Sequence, residues 1–349
     1  MSVVVQDRQA QARASATAAS AEAAAAAAAL VGRGSPSAVA QAAGTVVDAN
    51  AAAVQTAVTI TSAAIENLWH ATNPYDDDSV QHFVTQAGRT VVAAQRSVAQ
   101  TTSAAQAILV RAAGLPAPGA VRIPDNVRGA HVTLGGSEPK VRAAAATVVY
   151  QPDVPEGKTV RARVTVAEAA PDRIFNRAVV TYRYEQSQGA DPAKASRATV
   201  TRIGDIVDAN LMLTQRLAEQ QALKQAGATY YRRVIHPELS KGGVCGLCVA
   251  ASDRVYHVAE LKPIHLRCKC GVVPVAPGSD AGYELNRSDF RLLYGEGGKL
   301  HGLSTSTVGA HLKRTRYDIV EHHELGPVLT RVRGEKVPYY TLAPVAVAA

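Results

Sequence analysis

All four cysteines of the chain lie between residues 245 and 270, in two groups separated by a short segment. The first group is Cys245-Gly-Leu-Cys248, and the second is His265-Leu-Arg-Cys268-Lys-Cys270. A Cys-x2-Cys pair on a tight turn brings two sulfurs together, and Gly246 permits such a turn. Thiolate and imidazole are the donors that tetrahedral Zn²⁺ prefers. The spacing therefore predicts a structural zinc site, because the ligand set is closed and leaves no position for water.

The spacing favours one first coordination sphere of four residues: Cys245, Cys248, His265 and Cys268. Cys270 either replaces His265 or lies beside the site, because Cys-x-Cys is a less usual zinc spacing than Cys-x2-Cys. The run at 253–256, Asp-Arg-Val-Tyr, predicts a hairpin strand that folds the two groups together. His257 is a further candidate ligand.

Two other interpretations of the same residues stay open. The cysteines could form disulfides or remain as thiols, although disulfides are rare in a cytosolic product. One cysteine could instead be a catalytic nucleophile with His257 or His265 as its base. That chemistry needs a third, orienting group, for which Asp253 or Glu260 is available, but the spacing does not require this arrangement.

The composition indicates long helices with thin cores. The chain has 37 Lys+Arg against 29 Asp+Glu, a net charge of +8, which suits an acidic partner surface or nucleic acid but identifies neither. Aromatic residues are 5% of the total, so the 47% hydrophobic fraction is mostly Ala and Val. Alanine favours helices but buries little area. We therefore expect an α+β protein that is predominantly α.

Four segments follow from the distribution of helix formers, prolines and glycines. Residues 1–113 form an Ala-rich helical region, with helices over 3–31, 37–70 and 79–113 and a turn at 73–78. These helices pack within the chain as an antiparallel arm or bundle, or they associate with a second chain as a coiled coil.

The next three segments change in character. Residues 114–195 are punctuated by Pro and Gly and predict a β/loop region, with strands at Val160–Val166 and Ala178–Tyr184. Residues 196–283 are a module with an amphipathic helix over 198–226, a strand at 230–235 and the Cys/His cluster. Residues 284–349 predict helices near 285–294 and 305–316 and strands at 317–321 and 328–333.

Other features have simpler explanations. The first residues lack a secretory signal pattern, and the alanine run Ala23–Ala29 is too short to cross a membrane. Adjacent His322 and His323 point to opposite faces of a strand, which favours a solvated polar stretch. The basic runs Arg232-Arg233 and Lys313-Arg314-Thr-Arg316 could contact DNA phosphates, but short isolated runs are more often solvated surface.

One segment resembles a known family. The runs Val-Ile-His-Pro-Glu-Leu (234–239), Cys-Gly-Leu-Cys-Val-Ala-Ala-Ser-Asp-Arg-Val-Tyr (245–256) and Pro-Ile-His-Leu-Arg-Cys-Lys-Cys (263–270) resemble the C-terminal module of MuF-like minor capsid, or head morphogenesis, proteins of tailed phages. The likeness covers roughly residues 196–275 and looks closest to versions in phages of actinobacteria. The family pattern maps onto six residues here: Cys245, Cys248, Tyr256, His265, Cys268 and Cys270.

The resemblance implies a structural protein made in the host cytoplasm and carried in the virion, inside the head near the portal. Its expected partners are portal and capsid proteins, with non-specific contact to packaged DNA and no membrane. Similar proteins are often labelled capsid maturation proteases, which makes such an enzyme the first alternative. No Gly-x-Ser-x-Gly pattern or clear Ser/His/Asp constellation supports proteolysis. A zinc-ribbon protein that binds nucleic acid is the second alternative.

Overall fold

Helices make up 67% of the residues described by the computed structural model, which comprise 36–134, 147–150, 162–165, 169–236, 248, 251–287, 299–300, 303–304, 317–322 and 325–331. The helices are α1 (Pro36–His70), α2 (Asp77–Ala112), α3 (Val127–Leu134), α4 (Pro171–Ile174), α5 (Asn176–Ser187), α6 (Pro192–Gln225) and α7 (Ala281–Leu285). The strands are β1 (Thr147–Tyr150), β2 (Ala162–Thr165), β3 (Tyr230–Val234), β4 (Val255–His257), β5 (Gly271–Val275), β6 (Lys299–Leu300), β7 (Leu303–Ser304), β8 (Tyr317–His322) and β9 (Gly326–Arg331). The predicted class, predominantly α with a small Cys/His module, is confirmed.

Helices α1 and α2 form an antiparallel hairpin. Asp76 caps α2 by accepting a hydrogen bond from the Asp78 N–H, and two further acidic residues in the first turn favour the positive end of the helix dipole. Near the turn, the rings of Trp69 and Phe83 are 5.6 Å apart, and at the far end Thr102 donates to Asn50 at 3.2 Å. The helices predicted over 37–70 and 79–113 are thus confirmed, and they pack within the chain. The helix predicted over 3–31 lies outside the described residues, and self-association stays a prediction.

Helix α6 is the centre of the fold. Asp191 caps its start by accepting from the Lys194 N–H at 2.8 Å, Pro192 occupies the first turn, and Gly227 follows its end with a φ of +71°. The sequence predicts one apolar face, but every residue from 206 to 220 is buried. The reason is that α1, α2, α3 and α5 all pack against this helix, together with the short 3₁₀ turn Val258–Glu260.

The strand predicted at Ala178–Tyr184 is wrong, because this segment belongs to helix α5. Its Val, Thr and Tyr residues have strand propensity, but tertiary packing overrides that preference. Ala178 and Val179 bury in the same apolar cluster as Phe175, whose ring lies 6.3 Å from that of Phe83 on α2. The predicted β/loop region therefore contains helices α3, α4 and α5. The other strand predicted there, Val160–Val166, is confirmed as β2.

A three-stranded antiparallel sheet in the order β4-β3-β5 lies against the α1–α2 hairpin. Tyr231 in the central strand faces Tyr256 on one side and Pro274 on the other. The side-chain amide of Gln106 on α2 donates to the Val272 carbonyl at 3.0 Å, which anchors the outer strand β5 to the hairpin. The predicted strand at 230–235 is confirmed, and it positions the segment that follows it.

The C-terminal strands β8 and β9 form a hairpin that confirms the strands predicted at 317–321 and 328–333. Leu325 and Val328 bury in the same cluster as Val110 of α2 and Val127 of α3. The helix predicted near 285–294 begins where α7 (Ala281–Leu285) ends, and most of it falls on residues 288–298, which lie outside the described ranges. So does the helix predicted near 305–316. Among the described helices, none has the length and apolar character needed to cross a membrane.

Gly88 on α2 lets α4 approach closely, and this contact can be tested. A Cβ at Gly88 would lie 2.4 Å from the Pro171 carbonyl oxygen, whereas a Cβ at Gly204 in α6 would meet nothing within 4 Å. Because backbone must move, we expect Gly88→Ala to lower the free energy of unfolding by about 1–3 kcal/mol. We expect the control Gly204→Ala to raise it by about 0.5–1 kcal/mol. Urea denaturation measures both, and a Gly88→Ala protein as stable as wild type would contradict this packing.

Candidate metal centre

The local fold brings the two halves of the motif together. Cys248 precedes β4, and the segment with His265, Cys268 and Cys270 runs between the 3₁₀ turn and β5. Arg267 has a φ of 61°, the left-handed conformation that reverses the chain between the histidine and the cysteine. Strands β4 and β5 flank β3 on its two sides, so sheet formation draws the two groups to one place.

Three side chains form a group whose ligand atoms all lie within 4.8 Å of one another: Cys248, His265 and Cys268. Cys248 Sγ is 3.0 Å from His265 Nε2. The two cysteines are 7% and 3% exposed, so the group is nearly enclosed. These residues could hold a metal ion, as the spacing predicts.

The orientation of the His265 ring suits a metal ligand. Its Nδ1 lies 2.7 Å from the Leu266 carbonyl oxygen. Because a carbonyl only accepts, Nδ1 must carry the proton, which leaves the Nε2 lone pair directed at the cysteines. Donation from the second ring nitrogen to a carbonyl is the usual way in which a protein orients a metal-binding histidine.

Cys270 lies beside the group of three. Its sulfur is 3.1 Å from Cys268 Sγ, and the described cysteines Cys248, Cys268 and Cys270 are all thiols without a disulfide. Hydrogen bonds from Cys248 and Cys270 hold the pKa of Cys268 well below its ordinary value. Donation to Cys268, together with burial, raises the pKa of Cys270 well above its own. Cys268 is therefore more readily ionised than Cys270.

The spacing of the donor atoms is close to that of a tetrahedral site. Zn–S bonds of about 2.3 Å and Zn–N bonds of about 2.0 Å place neighbouring ligand atoms about 3.5–3.8 Å apart. The observed contact of 3.0 Å between Cys248 and His265 is shorter. An ion would thus replace a thiol–imidazole hydrogen bond after the two side chains separate by about half an ångström.

Two ion pairs hold this segment on helix α6. Arg267 Nε donates to Asp205 at 3.0 Å, and Lys269 Nζ donates to Asp208 at 2.5 Å. The aspartates are three residues apart and so lie on one face of the helix. The Asp208 and Lys269 side chains are only 7% and 18% exposed. The candidate site is therefore attached to the central helix as well as to the sheet.

Behind Cys270 lies a buried charged network that the sequence does not predict. Arg216 on α6 and Arg233 on β3 approach its sulfur at 3.2 and 3.3 Å, and both residues are essentially fully buried. Arg216 also pairs with Glu219 at 2.7 Å. Burial opposes the charge on Arg216, yet Cys270 and Glu219 raise the pKa of its guanidinium. The sequence signal for this network is the pair Arg216 and Glu219, two charged residues that lie three apart among the leucines of the predicted helix.

The Arg232-Arg233 run is not a solvated surface, which corrects the sequence-based interpretation. Arg232 is 6% exposed and forms a bidentate pair with Asp280 through contacts of 2.9 and 2.7 Å. Arg233 lies within 6 Å of the ring centres of Tyr231 and Tyr256. Both arginines are inside the protein because the sheet packs between helices, so neither is available to DNA phosphates.

The remaining predicted residues are divided between described and undescribed parts of the chain. His257 is exposed, accepts a hydrogen bond from the Ala259 N–H at 3.2 Å and contacts the Tyr230 ring. It is not in the group of three. Cys245 lies outside the described residues, as do His323, the basic run at 313–316 and the side chains of Glu260 and His322.

Comparisons with known proteins give no relative for this arrangement: no protein-family model, curated protein or solved structure matches the chain.

The two ion pairs to α6 should differ in strength. Asp208→Asn leaves the half-enclosed Lys269 charge without its partner, so we expect the free energy of unfolding to fall by about 1–3 kcal/mol. Asp205→Asn is the matched control. Its partner Arg267 is 58% exposed, so the loss should stay below about 1 kcal/mol. Urea denaturation compares the two, and an equal or larger loss for Asp205→Asn would refute this ranking.

Proposed function

We propose that this chain is a structural protein, a MuF-like minor capsid protein of a tailed phage, in which the Cys/His cluster binds zinc and fixes the C-terminal module. The observation that carries the proposal is the meeting of Cys248, His265 and Cys268 in an enclosed group. These are residues of the motif that resembles the MuF-like pattern. Their position between the central helix and the small sheet supports a role in holding the C-terminal module together.

Zinc is the metal that suits these donors best. Thiolate and imidazole ligands favour zinc over magnesium and calcium, which take oxygen ligands. Cys248, His265 and Cys268 supply three donors, and the proposed fourth is Cys245 or Cys270. Four protein ligands leave no site for water, which is typical of structural rather than catalytic zinc. When bound, zinc would supply cross-links between chain segments and no reaction.

The surroundings also favour a structural role. The cysteines are nearly enclosed, and the neighbouring side chains that contact the site belong to ion pairs and hydrogen bonds with α6. A substrate would need an open path to the sulfur atoms.

Metal content tests the proposal directly. Chain purified in reductant should contain about one zinc, measured by elemental mass spectrometry, and a chelator should lower the free energy of unfolding. The expected loss is about 3–4 kcal/mol for a site held at 100–1,000 times its Kd. Cys268→Ser and His265→Ala should lose the metal.

The matched control is His257→Ala, an exposed histidine near the site that should keep its zinc. Metal-free protein whose melting is unchanged by chelator would refute the zinc site. Loss of zinc from His257→Ala would show that the ligands are wrongly assigned.

The capsid assignment needs a test in virions. Quantitative mass spectrometry of particles from an infection that produces this protein should find the full-length chain at a few to tens of copies per head, the low-copy level expected for this family, beside an untrimmed major capsid protein. Absence of the chain from mature particles, together with a shortened capsid protein, would contradict a structural role.

One observation favours a second candidate, a capsid maturation protease. The 3.0 Å contact between Cys248 Sγ and His265 Nε2 is within the reach of a nucleophile and its base. Under this alternative Cys248→Ala abolishes trimming of the capsid protein and leaves the fold intact. Under the structural proposal the same substitution reduces zinc content and stability, and the capsid protein is untrimmed in wild type and variant alike.

A further inference from the structure

Two buried guanidinium groups converge on one sulfur next to the candidate metal centre. Arg216 Nη2 is 3.2 Å and Arg233 Nη1 is 3.3 Å from Cys270 Sγ, which in turn is 3.1 Å from Cys268 Sγ. Arg216 also donates to the Cys270 carbonyl, and Arg233 donates to the Lys262 carbonyl. The arginines reach the site from opposite elements, helix α6 and strand β3. Cys270 thus connects two fixed positive charges to Cys268.

The only described negative side chain in contact with these arginines is Glu219. Its Oε2 accepts from Arg216 at 2.7 Å and its Oε1 accepts from Gln215 at 2.9 Å. Burial raises the pKa of Glu219, whereas the adjacent Arg216 guanidinium and the hydrogen bonds at both oxygens favour the ionised carboxylate. Arginine remains protonated in proteins. Arg216, Arg233 and Glu219 together therefore carry a net charge of +1.

An uncompensated buried charge is strongly unfavourable, so a negative charge has to lie nearby. Cysteine thiols and a histidine imidazole in their neutral forms do not provide this negative charge. A divalent cation bound by three thiolates and one imidazole has a net charge of −1, which balances the set. This count holds whether the third thiolate comes from Cys245 or from Cys270.

We propose that Arg216, Arg233 and Glu219 are positioning residues that match the charge of a three-thiolate metal centre, with Cys270 as the contact between them and the centre. The inference rests on the proposed function, because it requires that the cluster binds a metal. It adds the charge state of the centre and the class of its ligand, a divalent cation that prefers thiolates. It also explains why two arginines lie inside the protein with Glu219 as their one acidic partner among the described residues.

Charge matching predicts effects of opposite sign within one network. Arg216→Met and Arg233→Met remove positive charge beside a negative centre, so each should weaken zinc binding by about 10- to 100-fold, the usual effect of losing an outer-shell partner. Glu219→Gln keeps the shape of the side chain and one acceptor oxygen but removes the negative charge. It should therefore tighten zinc binding, by roughly 10- to 100-fold for unit charges about 6–12 Å apart at an effective dielectric of about 20.

The experiment titrates Zn²⁺ against a chromophoric chelator with the full chain in reductant. Thr214→Val is the matched control, because it is a buried, uncharged change on the same helix, and it should leave the Kd for zinc unchanged. Arg216→Lys and Arg233→Lys keep the charge and should bind zinc more tightly than the Met variants. If a Met variant does not fold, the inference is tested by the direction in which Glu219→Gln changes the Kd for zinc and by the Kd of the Lys variants.

Each outcome has a defined meaning. Tighter binding by Glu219→Gln together with retained binding by the Lys variants supports the inference. Weaker binding by Glu219→Gln, or Arg variants with the wild-type Kd, overturns the inference alone, because the wild-type chain still binds zinc. A wild-type chain that binds no zinc overturns both the inference and the proposed zinc site.

Discussion

Arg216 and Arg233 meet at the sulfur of Cys270 in the interior of the protein, and three parts of the fold depend on this contact. Arg216 belongs to the central helix α6, Arg233 to the central strand β3, and Cys270 to the segment that leads into β5. Arg216 is also paired with Glu219, and removing one partner of such a buried ion pair costs about 3–5 kcal/mol. This network therefore links the central helix, the sheet and the cysteine cluster.

The surrounding helices and strands enclose the contact of Arg216 and Arg233 with Cys270. Residues 206–220 of α6 are buried on every side because helices and the small module surround them. Small residues make such close packing feasible: a Cβ at Gly271 would lie 2.5 Å from a Val47 side-chain carbon, and one at Gly282 would lie 2.6 Å from Val273. An Ala-rich composition thus gives thin apolar contacts, and the charged network joins the helix to the sheet at Cys270.

The long helices and the cysteine cluster could be predicted from the sequence because their signals are local. Capping residues such as Asp76 and Asp191 and the spacing of Cys248, His265 and Cys268 are visible without any tertiary information. The burial of Arg233 and the helical state of Ala178–Tyr184 could not be predicted. Both depend on which distant elements cover the segment, and neither strand propensity nor charge carries that information.

We propose that zinc is bound by sulfur ligands of the Cys/His cluster and not by oxygen atoms at the surface. X-ray absorption at the zinc edge, measured on the purified full chain, tests this claim most directly. We expect three sulfur neighbours at about 2.3 Å and one nitrogen at about 2.0–2.1 Å. A shell of oxygen and nitrogen alone would place the zinc elsewhere on the protein and would contradict the proposed centre.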